Sequence, residues 1–256
     1  MRAAIEFFGD FFYLLLDTLR AIGPALSSGR GRHLAWRNLW IQMNRIGVES
    51  IPIVSLVMFC IGAILAMQIA PELAQFGIVP VTADVVALAT FREMGPLVSA
   101  VVMTGFGGAA IAAEIGTMVV GEEIEAMEAL AIDPIRFLVV PRVLAGLLMM
   151  VCLTVVGDLA AMFGGLVASA LLLHLGSMQY THHALAILKV GDFVTGLIKA
   201  GVFGVLITAI ACFMGLKVRG GAEGVGLNTS KTVVFTIVAL ILVDLIFTSV
   251  FFYLGV

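Results

Sequence analysis

The sequence has 256 residues, 61% hydrophobic and only 12% charged, where an average soluble domain has about 45–50% and about 25%. So little polar surface cannot cover a water-soluble globule of this length, and 28 glycines among Ala-rich runs suit closely packed transmembrane helices. Disordered, collagenous, coiled-coil and disulfide-scaffold classes are excluded by the same composition. With 14 Lys+Arg against 17 Asp+Glu there is no basic face for a nucleic acid. The expected fold class is an all-α polytopic membrane protein.

The chain opens with an apolar run at residues 11–16, too short and too closely flanked by Glu6, Asp10 and Asp17 to read as a signal peptide. These acids share one helical face, with Phe8, Phe11, Phe12, Leu15 and Leu19 mostly opposite. That pattern fits an amphipathic helix in the membrane interface, or equally an ordinary helix packed on protein. The basic stretch that follows, Arg30, Arg32, Arg37 and Arg45 with Trp36 and Trp40, reads as an interfacial anchor. Residues 1–46 are therefore expected to be interfacial or cytoplasmic helices, and 47–256 the transmembrane domain.

A spanning helix needs about 20 mostly apolar residues. Five such stretches are expected: 50–70; between Glu93 and Glu114, with 85–91 as a lead-in; from Arg142 to about Leu175; between Lys199 and Lys217, starting near Phe193; and from Thr232 onward. With a cytoplasmic N-terminus, the inner segments hold Arg2, Arg20, Arg30, Arg32, Arg37, Arg45, Arg136, Arg142, Lys217, Arg219 and Lys231, and the outer ones only Arg92, Lys189 and Lys199. That bias fixes the orientation and puts the C-terminus outside the cytoplasm. No internal repeat is visible, which argues against an inverted-repeat carrier.

Residues 92–142 carry the most information. Arg92-Glu93-Met94-Gly95-Pro96 is expected at the outer mouth of the second span, either solvated by headgroups or forming a gate or ligand group. Gly105/Ala109 and Gly108/Ala112 are small residues four apart, suited to helix packing within the chain or to a dimer seam. After Glu114 the chain leaves the membrane and forms an acidic helix with Glu122, Glu123, Glu125 and Glu128 around an apolar stripe of Ile124, Met127 and Ala131. Asp133-Pro134 ends it, because proline disfavours a helical residue before it. A short amphipathic helix between two spans is a reasonable docking surface for a cytosolic partner.

These motifs, Arg92 to Pro96, Glu114-Ile115-Gly116-Thr117-Met118, Glu122-Glu123-Ile124-Glu125-Ala126-Met127, Ile132-Asp133-Pro134-Ile135-Arg136 and Pro141-Arg142, resemble the MlaE/YrbE permease family. Gly221-Ala222-Glu223-Gly224-Val225-Gly226 with Thr229 and Lys231 is similar to it too, and the likeness covers residues 40–256. The resemblance implies the membrane subunit of an ABC system that moves phospholipid, or sterol in some relatives, between envelope membranes. It implies a homodimer in the inner membrane with a cytosolic ABC ATPase dimer, a periplasmic hexameric ring of MCE-domain protein, and a STAS-domain protein as a further candidate partner. The helix at about 120–133 would be the coupling helix, with Glu122, Glu123, Ile124, Glu125, Met127 and Asp133 facing the ATPase. Arg92, Glu93 and Met94 would sit where the lipid cavity opens, and Leu65, Ile69, Leu73 and Phe76 would line an acyl-chain pocket between protomers. Glu125 departs from the Asp or Ser common at that family position but keeps the charge of the former.

The residues themselves agree with a carrier that has no catalytic site. No Gly-x-x-x-x-Gly-Lys-Ser/Thr phosphate loop occurs, so ATP must be bound by another chain. Residues 220–226 read as a flexible cytoplasmic loop. Cys60, Cys152 and Cys212 lie singly in apolar runs, His182 and His183 suit a solvated loop, and His33 and His174 stand alone, so no metal or other cofactor is expected. Asp158 and Asp244 fall inside spans, where a carboxylate costs about 2.5–3.5 kcal/mol unless satisfied. A structural hydrogen bond or packing contact is one reading and a proton relay the other. The rival functions are accordingly a stand-alone proton-coupled secondary transporter and an assembly scaffold without transport.

Overall fold

The computed structural model describes residues 2–27, 32–172 and 176–255, with side chains for 9–23, 36–171 and 176–255. The sequence readings at Arg2, Glu6, Phe8, Arg30, Arg32, His33, His174 and Leu175 lie outside the described side chains. Every regular element among the described residues is helical: α1 (Arg2–Ser27), α2 (Arg32–Ile46), α3 (Ile51–Gln75), α4 (Val81–Ala89), α5 (Gly95–Met103), α6 (Ala109–Val120), α7 (Glu123–Ala129), α8 (Val140–Leu172), α9 (Ser177–Ile187), α10 (Val190–Leu216) and α11 (Gly221–Leu254). Widened π-helical turns at Thr90–Met94, Thr104–Gly108 and Ile135–Val139 join α4 to α5, α5 to α6, and lead into α8.

Two of these turns share a cause. Gly95 donates back five residues to the Thr90 carbonyl and Val140 does the same to Ile135, and each is followed by a proline. Pro96 and Pro141 have no N–H to close an ordinary α-turn, so the widened turn absorbs the defect without breaking the helix. The third turn is built on Gly105, Gly107 and Gly108.

Five stretches are long and apolar enough to cross a membrane: Trp36–Gln75, Val81–Val120, Ile135–Leu171, Val190–Leu216 and Gly221–Leu254. The number is the one expected, but most of the boundaries are not. The second stretch begins at Val81, so Arg92 and Glu93 lie well inside a helical run and not at its mouth. The fourth begins at Val190, which makes Lys199 a buried helix residue and not an outer-segment charge. Both shifts have one reason: these charges have intramolecular partners, so the helix need not end to solvate them.

The residues group into two compact units. In the unit formed by Met1–Glu49, Met103–Met149 and Gly204–Leu240, α1 packs on protein through Phe11, whose ring stands edge-on to Phe213 at 5.5 Å. Asp10 pairs with Lys217 at 2.6 Å, and Leu14 and Thr18 are buried. Phe12 and Leu19, expected on the same face as Phe11, point outward with Tyr13. The Asp10–Lys217 pair borders that contact with both side chains about half exposed, a partner the sequence pattern does not contain. Gly108 packs against Ile207 and Gly116 against Val218 and Val225, so Gly108/Ala112 is an intramolecular contact, while Gly105 faces open space.

Residues 221–226 are not a flexible loop. They form the first turns of α11, which the chain enters through two left-handed glycines, Gly220 (φ +92°) and the helix's own first residue Gly221 (φ +70°). Val225 packing at Gly116 and the Asn228 amide donating to the Met214 carbonyl at 3.3 Å hold this end of the helix in place.

In the unit formed by Ser50–Val102, Met150–Phe203 and Ile241–Val256, α3 and α8 meet backbone to backbone. A Cβ on Gly62 would strike the Ala161 carbonyl, and one on Gly164 the Phe59 carbonyl. Such small-residue contacts substitute dispersion for the hydrophobic drive that lipid does not supply. Ala83 and Ala87 of α4 pack on Tyr180 and Ala184 of α9, and burial pushes the Tyr180 phenol up to about 12. His182 and His183 lie on α9 and not in a loop, with His183 Nδ1 3.5 Å from Asp84 Oδ1.

Gly62→Val should therefore lower unfolding stability in detergent by about 1–3 kcal/mol, the cost of overpacking. Gly105→Ala, which adds a methyl where nothing lies within 4 Å, should change it by under about 0.5 kcal/mol. Equal thermal midpoints for both variants would contradict the close approach.

Candidate functional site

Three elements converge on a group of charges. The π-turn Thr90–Met94 carries Arg92 and Glu93; α10 carries Asp192 and Lys199, two turns apart on one face; and α11 carries Asp244 and Thr248, one turn apart. Lys199 is 1% exposed, and its ammonium donates to Glu93 Oε2 at 2.8 Å and Thr248 Oγ1 at 2.9 Å. Asp244 Oδ1 stands 3.0 Å away as an ion pair, and the Thr248 hydroxyl donates to Glu93 Oε1 at 3.0 Å. Arg92 Nε donates to Asp192 Oδ1 at 2.7 Å, and its Nη2 contacts the same oxygen. Asp192 Oδ2 accepts the Lys189 backbone N–H at 2.9 Å.

An ammonium stripped of water costs several kcal/mol, offset only if close anions and hydrogen bonds replace the water. Lys199 has both. Beside it lies a cavity of about 140 Å³ lined by Arg92, Glu93, Thr195, Lys199, Thr248, Phe251 and Phe252. Of its charged lining residues Arg92 and Glu93 are the more exposed, with side chains 44% and 32% exposed against 2% for Lys199.

Of the residues expected to meet lipid, Arg92 and Glu93 line this cavity. Met94 sits half-buried on the same turn but is not among the lining residues. Leu65, Ile69, Leu73 and Phe76 do not line it either. Leu65 and Ile69 pack on Ala66, Val86 and Ala168, Leu73 is half-buried, and Phe76 is 77% exposed just past the end of α3. Lys199, Asp192, Thr195 and Thr248 were not singled out as site residues from sequence. The available signal was that Glu93, Lys199 and Asp244 are opposite charges within apolar stretches, which only mutual pairing makes tolerable.

Asp158 differs from Asp244. It is 2% exposed, and its Oδ1 has no hydrogen-bond donor among the described residues. It occupies the space left by Gly95, where a Cβ would meet that oxygen. It does not line the cavity.

The other unit contains a second polar group. Glu114 Oε2 bridges Arg45 at 2.9 Å and Arg142 at 3.1 Å, and Arg142, 4% exposed, also donates to the Leu138 carbonyl at 2.9 Å. This pair of arginines ties α2 and the start of α8 to α6, the helix that precedes α7. Only Glu123–Ala129 is helical in the acidic segment. Glu122 (φ 57°) and Ala131 (φ 58°) flank it in left-handed conformations that are uncommon for residues with a side chain. Ala131 therefore leaves the expected stripe; Ile124 and Met127 are half-buried, while Glu122, Glu123, Glu125, Glu128, Leu130 and Ile132 are exposed. Asp133 Oδ1 accepts the N–H groups of Ile135 at 2.9 Å and Arg136 at 3.4 Å, capping the next helical segment.

Lys199→Met would leave Glu93 and Asp244 without their cation and should cost about 3–5 kcal/mol of stability. Adding Glu93→Gln and Asp244→Asn to it should recover most of that loss in denaturant titrations. A single-variant loss below about 1 kcal/mol would mean that the three groups do not depend on one another.

Comparison with known proteins places the charges in a family context. Residues 39–250 match the family model described as Permease MlaE. A probable ABC transporter permease protein of Rickettsia felis is 37% identical over 211 residues, 82% of each chain. Another from Synechocystis is 39% identical over 204 residues, 80% of this chain and 78% of that one. The intermembrane phospholipid transport system permease protein MlaE of Haemophilus influenzae is 32% identical over 215 residues, 84% of this chain and 82% of that one.

Proposed function

Because the chain belongs to the MlaE permease family, we propose that it is the membrane subunit of an ABC transporter that moves phospholipid between envelope membranes, with ATP hydrolysed by a separate subunit. The observation that carries this reading is the family match over residues 39–250, which takes in both polar groups and the exposed acidic helix between α6 and α8. The absence of a phosphate loop from the sequence supports a separate ATPase.

In this reading α7 is the coupling helix. Glu122, Glu123 and Glu125 offer exposed carboxylates to a groove in the ATPase, while Ile124 and Met127 anchor the helix from its inner side and Asp133 holds the turn into α8. Movement of the docked subunit would reach the membrane helices through α6 and α8, which the Glu114–Arg142 pair ties together. The phospholipid headgroup would enter at Arg92 and Glu93 near Met94, and the apolar faces carrying Leu65, Ile69, Leu73 and Phe76 would receive acyl chains. The working unit would be a homodimer in the inner membrane, N-terminus in the cytoplasm, with a periplasmic MCE-domain ring and a STAS-domain protein as further partners. An ion-driven carrier using Asp158 and Asp244 is less well supported, since Asp244 is already paired with Lys199.

The docking assignment is tested by a Glu122→Lys, Glu123→Lys double variant in the assembled complex. Affinity purification should lose the ATPase, or retain it with lipid-stimulated ATP turnover reduced at least about tenfold. Wild-type turnover in an intact complex would remove α7 from the coupling role.

A further inference from the structure

The lipid cavity is built from charges whose sum says something about its ligand. Two cations, Arg92 and Lys199, face three carboxylates, Glu93, Asp192 and Asp244. With all five ionised the group carries one excess negative charge; with one carboxyl protonated it carries none. In neither state is there an excess positive charge to hold a headgroup that is itself a net anion.

The cations are also committed unevenly. Lys199 spends its ammonium on Glu93, Thr248 and Asp244, and is 1% exposed. Arg92 uses Nε and Nη2 on Asp192, while its side chain remains 44% exposed at the cavity wall. Among the described residues lining the cavity, one guanidinium edge is therefore the strong donor left for a phosphate. Glu93, 32% exposed, lines the same cavity; each of its oxygens accepts one hydrogen bond, Oε2 from Lys199 and Oε1 from Thr248, which leaves each a further lone pair, and Phe251 and Phe252 add aromatic rings to the lining. A carboxylate and aromatic rings lining one cavity suit an ammonium group, which is drawn to both.

We infer that this cavity selects a zwitterionic phospholipid headgroup, with the phosphate on Arg92 and the ammonium between Glu93 and the Phe251–Phe252 rings, over a headgroup of net negative charge. The inference rests on the lipid-carrying reading of the cavity and adds the headgroup class. Asp244 acts on it without lining the cavity: paired with Lys199, it helps set the charge that an incoming headgroup meets. One unit charge several ångströms away, at an effective dielectric of about 20, is worth about tenfold or more in relative occupancy.

The test uses the full-length protein, purified in mild detergent and exposed to tail-matched photoactivatable phosphatidylethanolamine and phosphatidylglycerol at equal mole fraction. Cross-links are mapped by mass spectrometry. The expected result is cross-linking at the cavity with phosphatidylethanolamine favoured about tenfold. In Asp244→Asn, and independently in Glu93→Gln, that ratio should fall to within about threefold of parity, read only in variants whose thermal midpoint and size-exclusion profile match the wild type. Equal labelling by both lipids in the wild-type protein, or a preference for phosphatidylglycerol, would overturn the headgroup selection and leave the lipid reading standing. Absence of any cross-link at the cavity would overturn the lipid reading itself. A wild-type preference that survives both substitutions would reject the charge mechanism.

Discussion

One buried ammonium organises the charged half of this molecule. Lys199 lies in a stretch apolar enough to cross a membrane, where an unpaired cation is expensive, and it is stable there because Glu93, Asp244 and Thr248 surround it. Those partners come from the π-turn ahead of α5 and from α11, so one side chain fixes the register of three helical segments. The second pair, Arg92 with Asp192, links the same π-turn to α10 one step away. Replacing such networks by apolar groups is often neutral for stability. Under the proposed function, this network supplies a polar face that a headgroup can use.

The backbone makes room for these charges in two ways. A π-turn displaces the helix by one residue and so presents adjacent residues, Arg92 and Glu93, to different partners on α10. Pro96 requires the widened turn, and Gly95 leaves the space that Asp158 fills. Elsewhere glycine lets helices approach to backbone contact, as at Gly62 with Ala161 and Gly164 with Phe59. In lipid, where burial of apolar surface brings little, such close packing and the ion pairs carry much of the specificity.

The helical class and the five apolar stretches were legible in the composition and in the intervals between charges, because apolarity over about 20 residues is a one-dimensional signal. The boundaries were not. Reading each charge as a helix end put Arg92, Glu93 and Lys199 at membrane edges, and only the fold reveals that Arg92 pairs with Asp192 and Lys199 with Glu93 and Asp244. The start of α11 was missed for a similar reason: glycines at 220–226 suggest a loop until Val225 and Asn228 find their neighbours. The acidic segment was located from sequence, but its helix is shorter than the pattern suggested, since left-handed Glu122 and Ala131 bound it. Asp158 falls within a span by sequence, but its burial and its place in the space left by Gly95 are visible only in the fold.

The account stands on this chain being the membrane part of a lipid-carrying ABC complex. The most direct measurement is a mild-detergent purification of the tagged protein from its native membrane, with proteins and lipids identified by mass spectrometry. An ABC ATPase and phospholipid should co-purify at a defined ratio to the chain. Recovery of the chain alone, folded and free of both, would contradict it and return the Asp158 and Asp244 carboxylates to the centre of the question.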